Sequence, residues 1–143
     1  MNGINIFSGE PGLGGALTNP TELAKRKGCI TVRYPVTYHN RAYPDVELAY
    51  HVLASGDVAE DDELMANLVS QKFLQNPDLL AEVAGRGGVA FLQLCSHFTN
   101  ARSTGFQAWE GTGPQSRFIR NLVAGYQKAL IGEVLFNGQP SLF

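Results

Sequence analysis

Apolar positions recur at helical spacing in three separate stretches of the chain. Between Pro44 and Ala54, the residues Val46, Ala49, Tyr50 and Leu53 fall on one face. Between Glu60 and Gln75, Leu64, Met65, Leu68, Val69 and Phe73 make a longer stripe, opened by an acidic first turn that suits the helix dipole. From about Pro114 to Ile131 a third face carries Phe118, Ile119, Leu122, Val123, Tyr126 and Leu130. "NPDLL" adds an asparagine cap and a first-position proline, which predict a short helix from Pro77 to about Ala84, stopped by "GRGG". One or two further turns fit Thr21 to Lys27, ending at Gly28.

The strand signals are shorter. "INIF" (Ile4–Phe7) predicts a strand that runs into the glycine-rich loop "SGEPGLGG". "CITVRYPVTY" alternates and is rich in β-branched and aromatic residues, so a strand is expected there, with Pro35 at an edge or bend. "YHNRAY" is turn material. "VAFLQLC" fits either a buried strand or an apolar helix, and its length and flanking glycines favour the strand. The tail "LFNGQPSLF" suggests a turn and an edge segment. With no repeat, low-complexity tract or linker, the pattern predicts a single α+β domain over residues 1–143, mostly helical with a short strand element.

Composition narrows the class. A chain of 143 residues, 44% apolar and 17% charged, can bury a core without staples. Its net charge of −2 argues against a broad footprint on duplex nucleic acid, though not against gripping one nucleotide. Cys29 and Cys95 share no metal or redox spacing and lie in apolar runs, as packed thiols do. "MNGINIF" lacks the regions of a signal peptide and no apolar run spans a membrane, so a reducing, cytoplasmic setting is expected.

Few residues announce chemistry alone. "GEPGLGG" matches neither nucleotide-loop fingerprint and reads first as a flexible loop. His39, His51 and His97 lie in separate segments without a paired ligand, so no metal site is expected. Lys72 sits in the last turn of its helix, where the dipole already favours a cation. Trp109 stands in a loop of small and polar residues, with equal claims to anchor a core or to stack on a base. Glu47 begins a helix, a position the dipole favours with or without a function.

In combination and order, these segments resemble the NADAR family, an α+β fold associated with NAD and ADP-ribose metabolism. "INIFS" and "LTNP" resemble its opening strand and asparagine motif, which places Asn19 on the family asparagine. "YHNRAYPDVELAYH" resembles its aromatic-proline and glutamate pattern, which places Glu47 on the catalytic glutamate. "LMANLVSQKFLQNPDLLAEVAGRGGVAFLQLCSH" resembles its lysine-phenylalanine helix with the short helix and strand after it; "AWEGTG" resembles its tryptophan-glycine loop. The chain departs from the pattern at Pro20, Leu48, His51, Arg117 and Arg120, and in a shorter segment between the glutamate and lysine helices.

The resemblance implies hydrolysis of an N-glycosidic bond in an ADP-ribosylated or ribosyl-phosphate compound, free or attached to nucleic acid, without metal or cofactor. Glu47 would be the catalytic carboxylate, framed by Tyr43 and His51, and an ordinary glutamate is ionised enough at neutral pH for the task. Lys72 would meet phosphate or the departing base, Trp109 would stack, and Asn19 with the glycine-rich loop would hold ribose and phosphate. Ser8 and Tyr50 complete the substrate-binding set. The alternative is a module that binds ADP-ribose-like nucleotides without cutting them.

Overall fold

Two long helices form the centre of the molecule, as their apolar stripes require. In this computed structural model, which describes residues 2–99 and 108–138 (the backbone alone for 134–138), α4 (Val58–Gln75) packs along α7 (Arg117–Gly138) more extensively than any other pair of elements. Met65, Leu68, Val69 and Phe73 meet Phe118, Ile119, Leu122 and Tyr126 in one core. Gly125 permits the close crossing: a Cβ there would lie 2.6 Å from Val69 Cγ1 and 2.9 Å from the Ala66 carbonyl oxygen.

Around this pair the order is α1 (Leu13–Leu17), α2 (Thr21–Arg26), β1 (Val36–Tyr38), β2 (Arg41–Tyr43), α3 (Val46–Leu53), α4, α5 (Pro77–Arg86), α6 (Val89–Leu92), β3 (Ser96–His97), β4 (Gly111–Thr112), a 3₁₀ turn (Gly113–Gln115) and α7. Two small antiparallel sheets, β1-β2 and β3-β4, complete a mostly helical α+β fold. Among the described residues no helix is long and apolar enough to cross a membrane.

Several expectations from the sequence change. The strand foreseen across "CITVRYPVTY" shrinks to Val36–Tyr38, paired with Tyr43–Arg41. His39 (φ 48°) and Asn40 (φ 64°) make the left-handed turn between them, so "YHNRAY" is a turn that continues into a strand. "VAFL" is the helix α6, not a strand: Gly88 (φ 63°) redirects the chain, and its carbonyl accepts from Leu92. Four residues are too few for periodicity to tell one turn of helix from a strand. The glycine-rich segment holds α1, whose residues are all buried; a Cβ on Gly15 would lie 2.5 Å from the Glu10 carbonyl oxygen. In the tail, 134–138 continue α7 and 139–143 lie outside the described residues.

In place of a strand, Ile4–Phe7 makes, among the described residues, one parallel bridge, Asn5 to Ser96, through Ser96 N–H to Ile4 O (2.9 Å) and Ile6 N–H to Ser96 O (2.8 Å). This bridge ties the N-terminal segment to β3.

The helix that carries Glu47 begins at Val46, not at Pro44, because Asp45 caps it. Asp45 Oδ1 accepts from Leu48 N–H (2.9 Å) while Oδ2 accepts from Glu22 N–H (3.0 Å), joining the starts of α2 and α3. Replacing Asp45 by alanine is expected to cost about 1–2 kcal/mol, as other lost caps do. Urea denaturation tests this: an unchanged midpoint would mean that the cap contributes nothing.

Candidate active site

The cap sets Glu47 at the second position of α3, and helical spacing does the rest. Residues 47, 50 and 51 stand three and four apart and share one flank of the helix, while Val46 and Ala49 face the core. That flank forms one wall of a cavity of about 470 Å³. Ser8, Asn19, Glu47, Tyr50, His51 and Trp109 all line it, so six of the seven candidate residues, spread over a hundred positions in sequence, converge here.

Glu47 Oε1 is 2.8 Å from His51 Nε2, and the Glu47 side chain is 31% exposed. Burial raises its carboxyl above the ordinary value, and His51 opposes the rise through its charge and its hydrogen bond. In place of the ordinary carboxylate that the sequence suggests, the cavity holds a more basic one. Tyr43, the other residue expected to frame it, is buried in the core. The Glu47 backbone N–H donates to the Asn19 carbonyl (3.2 Å), so α3 and the Asn19 segment are placed together. Asn19 itself is buried, with Nδ2 on Met65 Sδ at 3.5 Å.

Trp109 is held from two sides. Tyr50 meets it edge to face at 5.7 Å, and the Arg117 guanidinium lies 4.1 Å from the ring centroid. Arg117 Nε is fixed in turn by Asp62 Oδ1 at 2.6 Å, which Asn121 Nδ2 also reaches at 3.0 Å. Arg117 therefore braces the tryptophan. Arg120 instead donates to the Pro114 carbonyl (2.8 Å) and is exposed.

Lys72 is the exception. It does not line the cavity but lies buried in α4, its Nζ donating to the carbonyls of Ala16 and Thr18 (2.9 Å to the latter). It is no cation for phosphate; this amine pins the backbone immediately before Asn19. The reason is periodic: Lys72 follows Leu68 by four and Val69 by three, which carries it onto the apolar face. Desolvation lowers its pKa from 10.5 to about 7, with Asp45 acting the other way.

Lys27 and His97 also line the cavity, and the sequence gives neither a substrate role. Lys27 donates to Ser8 Oγ at 2.6 Å and brings a cation to the wall in place of Lys72. Nineteen positions separate the pair, so no local pattern links them. His97, weighed in the sequence as a metal ligand and set aside, lines the cavity with its ring stacked on Phe118 at 4.1 Å. Among the described residues no three His, Cys, Asp or Glu side chains gather to hold a metal ion. No family model, curated protein or solved structure matches this chain.

Proposed function

We propose that the cavity takes a ribosylated nucleotide and that Glu47 assists hydrolysis of its N-glycosidic bond, the activity implied by the NADAR resemblance. The observation that carries this reading is the shared wall: a half-buried carboxylate, steadied by an imidazole, in one concavity with Asn19, Tyr50 and Trp109. A pocket of this size suits a nucleoside-scale ligand.

The chemistry needs little else. As the C1′–N bond breaks, positive charge develops on the ribose ring, and an adjacent fixed carboxylate stabilises it. Water then bonds to C1′ through its oxygen; one of its protons passes to Glu47, the departing nitrogen takes one from solvent, and Glu47 returns its own to solvent. Partial desolvation, which makes the carboxylate more basic, favours the proton transfer from water. Lys27 and Ser8 offer donors for phosphate oxygens, the role that the resemblance assigns to Lys72.

Trp109→Ala is expected to weaken ADP-ribose binding by about 10- to 100-fold, the usual worth of one stacking aromatic. Isothermal calorimetry reads this directly, and equal affinity would remove Trp109 from the site. Binding by the wild type with no product after long incubation would select the non-catalytic binding module instead.

A further inference from the structure

We propose that His97 is a specificity-determining residue, a fixed hydrogen-bond acceptor that reads a ribose hydroxyl of the ligand through Nε2. The inference rests on reading the cavity as a ribosyl site and adds a residue that the resemblance did not supply.

The tautomer follows from geometry. His97 Nδ1 lies 2.6 Å from the backbone carbonyl oxygen of Ile6. A carbonyl oxygen only accepts, so Nδ1 must carry the proton. In the neutral ring Nε2 is then a bare lone pair. The ring cannot turn to exchange the two nitrogens without breaking the Ile6 bond and its parallel stack on Phe118, at 4.1 Å and 14°. The Ile6 carbonyl is itself fixed, because Ile6 is fully buried and its N–H donates to Ser96 O across the parallel bridge. Burial also lowers the imidazole pKa, with the Ile6 bond and Glu110 opposing, which favours the neutral acceptor form.

The described residues give Nε2 no partner, although the ring lines the cavity with Phe118, Ser8 and Asn19. An acceptor held this way discriminates by donor: a hydroxyl satisfies it, and a ligand lacking that hydroxyl leaves it desolvated and unpaired. It has no proton at Nε2 to offer a phosphate, which separates its role from that of Lys27. Glu47 and His97 thus supply acceptors, while Lys27 supplies the cation.

The test compares ADP-ribose with analogues lacking single hydroxyls of the terminal ribose, by calorimetry, on wild type and His97→Phe, which preserves a ring for the Phe118 stack. The wild type should prefer ADP-ribose over one of these analogues by about ten-fold or more. In His97→Phe that preference should vanish, through loss of ADP-ribose affinity and not gain for the analogue. A preference that persists in the variant overturns the assignment while leaving the nucleotide reading intact. Failure of the wild type to bind any of these compounds overturns both. Should the variant not fold, ¹⁵N resonances of the wild-type ring decide: Nε2 should shift on saturation with ADP-ribose while Nδ1 stays protonated. An unmoved Nε2, or a proton on it, sinks the proposal.

Discussion

Glu47→Gln is expected to abolish most hydrolysis, by about 10²- to 10⁴-fold in kcat, with little change in fold or in ADP-ribose affinity. The amide keeps the shape and an oxygen that can accept from His51, so the 2.8 Å contact and the helix start survive. What disappears is the negative charge facing C1′ as the ribose turns cationic, and the base that takes a proton from water. Stability moves the other way. Burial raises the Glu47 carboxyl, so the folded state holds its proton to higher pH than the unfolded chain does. The associated stability is present at low pH and lost as pH rises through the folded value, because the ionised form is the one that burial penalises. The variant should therefore melt no lower than wild type at pH 7. Single-turnover assays with circular dichroism check both halves; unchanged turnover removes Glu47 from the mechanism.

Lys72→Met should alter stability more than any other change named here, and its signature is a dependence on pH. The folded amine titrates near 7 and the unfolded one near 10.5. Between those values the unfolded chain binds more protons, so wild-type stability rises with pH across this window and falls back as pH drops toward 7. Methionine fills similar volume without titrating, so the variant lacks this slope. Other groups titrate in both proteins and their contributions cancel in the comparison. From pH 7 to pH 9, the stability of wild type relative to Lys72→Met should grow by on the order of 2 kcal/mol. Urea midpoints at the two pH values measure it, and a difference that stays flat means the amine is not desolvated. A second consequence concerns the site. Without Lys72 the carbonyls of Ala16 and Thr18 lose their donor, and Asn19, one residue on, loses its brace.

Much of this architecture is legible residue by residue. The stripes 64, 65, 68, 69, 73 and 118, 119, 122, 123, 126 name the two central helices because burial on a helix must repeat every three or four residues. The proline that opens α5 and the stop at Gly28 are likewise local, but the expected asparagine cap does not form: the Asn76 amide donates back to the Lys72 carbonyl at 2.8 Å. Where the signal spans only a few residues it misleads: α6 looks like a strand, and the glycine-rich run hides α1. For the site, the flank of α3 is readable from spacing alone. The burial of Lys72 is written in its place in the stripe, although its charge argues for the surface.

The helices, their buried faces and the meeting of Glu47 with His51 are local outcomes, fixed by residues within one or two turns of each other. The gathering of Ser8, Asn19, Glu47, His97 and Trp109 around one cavity arises only when distant segments pack. Those placements depend on which faces meet and on which backbone carbonyls are left to be satisfied. No spacing along a chain records either.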